Sequence, residues 1–480
     1  MLPVLTPAEM AEADRRTIAA GTPVEVLMER AGRAVAWAAR GELLGCSGAR
    51  VVAVCGKGNN GGDGLVAARV LRGWGARVDV FSLEHGIDRQ LCERALRRAD
   101  AVVDAMYGTG FRGALEGDAA WAARAMEAVL GPCIAVDIPS GVDGATGEVR
   151  GDTVHASHTV CLAALKPGLL FAPGSGHAGE VTIADIGIDL GVDRLRPPRG
   201  VLEDVDVELA LPERDEAAHK WQSGVLVVGG SGGMVGAPLM ASRAALRAGA
   251  GIVWCALPGH DAAARASGTE IITHALPATA DGALDEAAAA AVLEVAARFG
   301  AVVVGPGLGR DERTAAAVRR IVAEAPVPLV LDADGLNALE GDPAPLRART
   351  APTVLTPHAK EYERLVGEPV GADRLAAAAR LADAAGAVAL LKGPGTVVAA
   401  PGGAPVAINP TGGPALASAG TGDVLSGIVG ALVARGGEPW WAAAAAAFVH
   451  GRAAEAAGHT GLVAGDLIDA LPRVLDELEP

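Results

Sequence analysis

Residues able to do chemistry in this chain sit where its glycines cluster. Gly56-Lys57-Gly58-Asn59-Asn60-Gly61-Gly62-Asp63-Gly64 sets two carboxamides, a carboxylate and a lysine among glycines. The segment lies between an apolar run at Arg50–Cys55 and another at Leu65–Leu71, so it reads as a strand-to-helix turn. Bare amides at a helix N-terminus, with polar side chains among them, suit a phosphate or a nucleotide edge. The stretch satisfies G-x-G-x-x-G, and Asp79 stands about where a dinucleotide fold places its ribose acid. That pattern alone also describes a tight turn with no ligand. Two further polar segments follow predicted strands: Asp104-Ala105-Met106-Tyr107-Gly108-Thr109-Gly110-Phe111-Arg112-Gly113 and Asp137-Ile138-Pro139-Ser140-Gly141. A lone Asp ending a strand is usually a turn former. Several such ends in one open α/β sheet point to a site at its carboxyl edge.

The second half carries different chemistry. Ala419-Gly420-Thr421-Gly422-Asp423 opens a predicted helix whose first amides would form an anion hole for a transferring phosphoryl group. Asp423, just behind, is placed to take the proton of an attacking hydroxyl. In isolation the turn reads equally well as a helix cap. Beside Lys392-Gly393-Pro394-Gly395-Thr396, a hairpin able to lie along a nucleotide, phosphoryl transfer is the stronger reading. Gly229-Gly230-Ser231-Gly232-Gly233, with Ala237 after it, and Gly305-Pro306-Gly307-Leu308-Gly309 permit close backbone approach. Asp332-Ala333-Asp334 and Thr356-Pro357-His358 complete the rim.

Lysine usage adds weight to these segments. Only five of the 41 basic residues are Lys (57, 166, 220, 360 and 392), and all lie in Gly-rich or His-containing stretches. A lysine kept against such a bias suits work that needs a compact or titrating charge.

The elements that must hold these groups alternate. Thr6-Pro7-Ala8-Glu9 and Thr22-Pro23-Val24-Glu25 each predict an N-cap Thr, a Pro in the first turn and a capping-box Glu. Strands are expected at Arg50–Cys55, Arg77–Leu83, Ala101–Met106, Cys133–Ile138, Thr159–Ala164 and Glu180–Ile186, with helices between. The rhythm breaks over 187–211, around Arg194-Leu195-Arg196-Pro197-Pro198, which reads as a linker. It resumes with strands at Gly224–Gly230, Gly251–Ala256, Ala301–Val304, Pro328–Leu331, Thr353–Leu355 and Val388–Leu391. Thr396–Ala399 is the expected hairpin partner of the last, and an Ala-rich helix pair closes the chain.

Composition agrees with two α/β domains, expected at 1–204 and 205–480. At about 150 residues per domain, 480 residues make two large domains or three small ones. Half of the chain is hydrophobic, which excludes wholesale disorder. A net charge of −16 without a basic run argues against nucleic acid or an anionic membrane as partner. The apolar runs at Val424–Ala434 and Trp440–Val449 are short of the ~20 residues of a membrane span. Acidic Glu9, Glu12 and Asp14 stand where a signal peptide would be basic and then apolar. Six scattered cysteines without a CxxC pair read as reduced thiols of a cytoplasmic protein.

Taken together, Lys57–Gly64, Asp104–Gly113, Asp137–Gly141 and Leu165-Lys166-Pro167-Gly168 resemble the NAD(P)H-hydrate epimerase domain, over nearly all of residues 1–200. The resemblance implies a Rossmann-like three-layer αβα sheet. It implies that Asn59, Asn60, Gly61, Gly62 and Asp63 hold the hydrated dinucleotide. The loop of Gly108, Thr109, Gly110, Phe111, Arg112, Gly113 and Ala114 would join them, with Asp137. Asn60, Asp104 and Ser140 would hold K+, which oxygen donors suit. Asp137 is the expected acid/base, with Lys166 as its cationic partner.

The second half, over about 205–475, resembles the ribokinase-like superfamily and, more narrowly, the ADP-dependent NAD(P)H-hydrate dehydratase domain. That implies a second αβα sheet. Ala237, Gly307, His358 and Asp423 would contact the hydrate. Lys392, Gly393, Pro394, Gly395, Thr396 and Gly422 would contact ADP, with Mg2+. The implied partners are the small molecules NADHX, NADPHX and ADP, acted on by a cytoplasmic homo-oligomer. Gly413, Ala415 and Leu416 stand where that family usually shows Asn, Gly and Met. Ala419 replaces a Gly, and Ala359-Lys360 replaces Pro-Gly after His358. Two other classes fit the motifs less well: a small-molecule kinase fused to a nucleotide-binding regulatory domain, and a non-catalytic binding module.

Overall fold

The computed structural model describes residues 1–193, 196–214, 216–260, 270–339 and 341–478. Residues 2–197 and 198–480 form two compact units.

The first unit is built on six parallel strands: β1 (Arg50–Cys55), β2 (Arg77–Ser82), β3 (Ala101–Ala105), β4 (Cys133–Val136), β5 (His158–Leu162) and β6 (Glu180–Ala184). They lie in the order β2-β1-β3-β4-β5-β6. The inner strands β1, β3, β4 and β5 are short, largely apolar runs buried on both faces, as a helix-covered parallel sheet requires, whereas the edge strands β2 and β6 are only partly covered. Helices α1 (Pro7–Ala19), α2 (Val24–Glu42) and α3 (Asn59–Gly73) precede or follow β1. Helices α4 (Arg89–Leu96) and α5 (Gly117–Met126) follow β2 and β3. One core joins α2 and α3 to the sheet through Val35, Ala39, Ala67 and Leu71. Another joins α4 and α5 to it through Cys92, Leu96, Ala119 and Ala123.

Two local expectations need correction. Thr6 caps α1 in a full capping box with Glu9, but Thr22 does not cap α2. Its amide instead donates to the Thr17 carbonyl at 3.2 Å, closing the end of α1, and α2 starts at Val24 behind Pro23. The glycine-rich turn is also shorter than its composition suggests, because α3 begins at Asn59. Several of its glycines are there for packing. A Cβ on Gly61 would lie 2.0 Å from the Gly56 carbonyl oxygen, and one on Gly62 would lie 2.5 Å from Met28 Sδ.

In the second unit the strands are β7 (Arg199–Val201), β8 (Gly224–Val228), β9 (Ile252–Pro258), β10 (Ile272–Leu276), β11 (Ala301–Val304), β12 (Leu329–Leu331), β13 (Thr353–Leu355), β14 (Val388–Leu391), β15 (Val397–Ala399) and β16 (Val406–Ile408). Within residues 198–478 they run β7-β16-β15-β14-β13-β12-β11-β8-β9-β10. β8 to β14 are mutually parallel, and β15 is antiparallel to both neighbours. Helices follow as α6 (Asp204–Ala210), α7 (Gly236–Arg247), α8 (Ala288–Ala296), α9 (Glu312–Glu324), α10 (Asp334–Asn337), α11 (Ala359–Val366) and α12 (Arg374–Ala385). The chain closes on α13 (Thr421–Ala434), α14 (Pro439–Ala457) and α15 (Ala464–Leu478), three helices where a pair was expected. Small residues let them approach closely: a Cβ on Gly427 of α13 would lie 2.1 Å from the Ala241 carbonyl of α7.

The stretch read as a linker is structured at its far end. Arg199–Val201 pairs with β16 as a strand of the second sheet, and α6 follows. The strand precedes and the helix straddles the expected 204/205 boundary. Arg194 and Leu195 lie outside the described residues. The six cysteines are free and buried. No helix among the described residues is long and apolar enough to cross a membrane.

Candidate active sites

In an open α/β sheet, ligands bind at the carboxyl ends of strands where the strand order reverses. The first sheet reverses between β1 and β3, whose following loops hold Lys57–Asn60 and Asp104–Gly113. A cavity of about 450 Å³ opens there. One wall is apolar, with Ile18, Val24, Leu27, Met28, Ile186 and Ile188. The other is polar, with Asn59, Asn60, Asp63, Thr109, Asp137 and Lys166.

Asp137 is the centre of the polar wall. It follows β4 at φ +68°, a left-handed conformation that Asp tolerates better than most residues. Its own amide donates to the Val160 carbonyl at 2.8 Å, which holds the turn. Lys166 Nζ donates to Asp137 Oδ1 at 2.5 Å and to the Leu162 carbonyl at 2.7 Å. The Leu162 amide also reaches Oδ1, and the Thr109 amide donates to Oδ2 at 3.0 Å. Lys166 is 1 % exposed. Burial works against its charge, but Asp137 and Cys161 outweigh it and hold the ammonium above its ordinary range.

Asp104 and Ser140 meet one layer deeper, both fully buried. Ser140 Oγ donates to Asp104 Oδ1 at 2.7 Å and accepts from the Tyr107 amide at 2.9 Å. The Ser140 amide donates to Asp104 Oδ2 at 2.8 Å, and the Met106 amide to Oδ1 at 3.2 Å. No donor here is cationic, and burial pushes Asp104 up to about 6. Asn60 stands at the polar wall: a Cβ on Gly108 would meet Asn60 Oδ1 at 3.0 Å and Asp137 Oδ2 at 3.2 Å. The Asn60 amide nitrogen is buried without a partner. Arg112 instead pairs with Asp143 at 2.9 Å on the surface. Gly61 and Gly62 turn their Cα atoms toward β1 and α2, and Gly113, Ala114 and Asp79 are not part of the cavity wall.

In the second sheet the order reverses at β8, flanked by β9 and β11. The loops after β8 and β11 touch: Ser231 Oγ donates to the Gly307 carbonyl at 2.9 Å, and Ala237 Cβ would lie 3.3 Å from a Cβ on Gly307. Gly305, at φ +133°, lies so close to β12 that a Cβ would sit 1.7 Å from the Asp332 carbonyl. Ala333, at φ +48°, turns β12 into α10 and separates Asp332 from Asp334. Asp334 Oδ2 accepts from the Gly309 amide at 2.8 Å.

Lys392, at the end of β14, gathers the acids. Its Nζ lies 2.7 Å from Asp332 Oδ1 and 3.7 Å from Glu361 Oε2. Its position 3.6 Å from a Cβ built on Gly422 brings it to the first turn of α13. His358 caps α11: its Nδ1 accepts from the Lys360 and Glu361 amides, while Glu361 accepts from the His358 amide at 2.8 Å. Gly420, at φ +89°, starts α13, and Asp423 sits in its first turn. Burial chiefly, with Asp332 next and Lys392 opposing, pushes Asp423 up to about 7. Gly393, Pro394, Gly395 and Thr396 form the turn between β14 and β15. Sequence reasoning did not single out Asp14 in the first cavity or Glu361 in the second. Only Glu361 carried a usable signal, a capping-box spacing after His358.

Two family models match. The model for NAD(P)H-hydrate dehydratase covers residues 225–473, and that for the YjeF-related protein N-terminus covers 24–99 and 86–168. A bifunctional NAD(P)H-hydrate repair enzyme Nnr of Moorella thermoacetica is 40% identical, over 99% of this chain and 97% of its own. Its counterpart from Salinibacter ruber is 42% identical over 99% and 96%. A Bacillus subtilis ADP/ATP-dependent NAD(P)H-hydrate dehydratase, co-crystallized with ATP and Mg2+, superposes with a TM-score of 0.50 at 31% identity. It covers 58% of this chain and 98% of its own.

Proposed function

The chain belongs to the bifunctional NAD(P)H-hydrate repair enzymes, and from that premise we infer how its two sites divide the work. It is an NAD(P)H-hydrate epimerase and an ADP-dependent NAD(P)H-hydrate dehydratase. We assign epimerisation of (R)- and (S)-hydrate to the first cavity and dehydration of the (S) form to the second.

Epimerisation needs the hydroxyl to leave one face of the ring carbon and water to return on the other. The apolar wall suits the ring, and Asp137 with Lys166 moves the proton at the hydroxyl oxygen. Asn59 to Asp63 and the Gly108–Ala114 loop bind the dinucleotide. Potassium fits beside them, because Asp104 is a buried carboxylate bonded only by neutral donors, and Ser140 Oγ and Asn60 Oδ1 are neutral oxygens. When bound, the ion supplies fixed positive charge at the loops that hold the dinucleotide.

In the second site, hydroxide is a poor leaving group and phosphate a good one. Asp423 takes the proton of the ring hydroxyl, whose oxygen attacks the terminal phosphorus of ADP and displaces AMP. The carbon–oxygen bond then breaks with its electron pair going to phosphate, and loss of the neighbouring ring proton restores the double bond. The first amides of α13, opened by Gly420 and Gly422, stabilise the phosphoryl oxygens. Lys392, Gly393, Pro394, Gly395 and Thr396 hold ADP. Ala237, Gly307, His358 and Asp423 hold the hydrate. Mg2+ supplied with the nucleotide would neutralise phosphate charge, and the carboxylates of Asp332 and Glu361 offer the oxygen surroundings it favours.

The observation that carries this reading is Asp423 on the first turn of α13, with Lys392 beside that turn. The same reading makes the protein a cytoplasmic homo-oligomer acting on small molecules, with neither nucleic acid nor membrane as partner. To test it, purified protein is incubated with mixed (R)- and (S)-hydrate and ADP, ATP or neither. Full recovery of reduced-nicotinamide absorbance with ADP supports both activities. Recovery stopping at the (S) fraction sinks the epimerase, and recovery with ATP alone points to a kinase-type nucleotide preference.

A further inference from the structure

The cavity of the first unit holds more acid than the Asp137–Lys166 pair accounts for. Asp14 from α1 and Asp63 from α3 line it with that pair, so three carboxyl groups share one buried lysine. Lys57 and Tyr107 are the other titratable groups on its wall, and α2 contributes only apolar Val24, Leu27, Met28 and Ala31. Lys166 is already engaged by Asp137 and the Leu162 carbonyl. Asp137 accepts hydrogen bonds at both oxygens, from Lys166 and the Leu162 amide at one and from the Thr109 amide at the other. Asp63 is the opposite case. It is 5 % exposed and, among the described residues, makes no ion pair. Its helix is pressed against α2, where a Cβ on Gly32 would lie 2.6 Å from the Asp63 carbonyl oxygen, so it has little room to turn toward water.

Resting on the assignment of this cavity to the epimerase, we propose that Asp63 donates the proton to the departing hydroxyl and Asp137 accepts it from the returning water. Asp14 is a positioning residue whose neighbouring carboxyl favours the proton-bearing form of Asp63. Two carboxyl groups in unlike surroundings are how one site keeps an acid and a base together. Burial, then Asp137 and Asp14, raises Asp63 to about 8, so it carries its proton at neutral pH. Burial also raises Asp14, opposed by Lys166. In the step, the carbon–oxygen bond breaks with its pair on oxygen, and the Asp63 proton completes a water molecule. The ring-nitrogen lone pair closes a carbon–nitrogen double bond. Water then adds to the other face, gives its proton to Asp137, and returns the pair to nitrogen. Nothing is oxidised or reduced. Asp63 and Asp137 exchange roles for the reverse direction, or reset through solvent.

The test follows (R)-to-(S) conversion by the full chain without ADP, between pH 6 and pH 10, with hydrate binding measured by calorimetry. Asp63→Asn is expected to lose 10²–10⁴-fold in kcat, beyond whatever it loses in hydrate affinity as part of the binding loop. Asp14→Asn is expected to keep most of the activity at its optimum while the alkaline limb moves to lower pH, because a like charge beside Asp63 is gone. Asp63→Asn turning over within a few-fold of wild type overturns the proposal. So does a loss explained wholly by weaker binding, or an alkaline limb that Asp14→Asn does not move. If Asp63→Asn does not fold, the Asp14→Asn profile decides. Wild-type protein that fails to epimerise at all refutes the underlying assignment instead.

Discussion

Replacing Asp423 by Asn separates the chemistry of the second site from its stability. The carboxyl lies in the first turn of α13 and is pushed up to about 7 by burial, by Asp332 and, more weakly, by Asp334 and Glu361, against Lys392. A group whose native pKa lies above its unfolded value binds more protons when folded. Stability therefore falls as pH rises from about 4, where the unfolded Asp begins to ionise, through about 7. At ~1.4 kcal/mol per pKa unit, the ionised carboxylate costs up to ~4 kcal/mol at pH 8. Asparagine keeps the shape and cannot ionise, so Asp423→Asn should melt several degrees higher at pH 8 and no higher at pH 4. The same change removes the base for the ring hydroxyl, so ADP-dependent dehydration should fall by 10²–10⁴-fold. Epimerisation, housed in the other unit, should not change. Melting is followed by calorimetry across pH, and dehydration by absorbance with (S)-hydrate and ADP. Dehydration within a few-fold of wild type would show that Asp423 is not the base. A variant that melts lower at pH 8 would show that its surroundings do not penalise the charged carboxylate.

Other substitutions probe the remaining parts. Lys392→Met leaves Asp332, Glu361 and Asp423 without their shared cation; ADP-dependent turnover should drop at least 10²-fold, and its acid limb should move to higher pH, as rate–pH profiles would show. Dialysis into KCl, NaCl or LiCl, with conversion of (R)- to (S)-hydrate followed by chromatography, should give rapid epimerisation in potassium only. Asp104→Ala should abolish that dependence and most of the rate, and equal rates in all salts would refute the ion assignment. Gly56→Ala would put a Cβ 1.8 Å from the Met106 carbonyl; it should cost about 1–3 kcal/mol and depress epimerisation while dehydration survives, measured by melting and both assays.

What the chain determined by itself was local. Strand runs such as Arg50–Cys55, Ala301–Val304 and Val388–Leu391 are legible because a short apolar β-rich run between glycines has few other solutions. The Gly420–Asp423 turn is legible for the same reason, since a cap, a helix start and its first acid lie within four residues. Lysine scarcity drew attention to all five lysines alike; in the fold Lys57 and Lys166 line the first cavity and Lys392 pairs with Asp332, whereas Lys220 and Lys360 are exposed. Only the tertiary structure decided what stands around those groups. Asp14 reaches the first cavity from a helix that precedes the whole sheet, and Glu361 reaches Lys392 from a different strand end. Arg199–Val201 becomes a strand only because β16, some two hundred residues later, offers it an edge. Such contacts depend on strand order and helix approach, which no local run encodes. The pKa values they set, at Asp63 and Asp423 alike, come from burial and neighbouring charge and so exist only once the chain has folded.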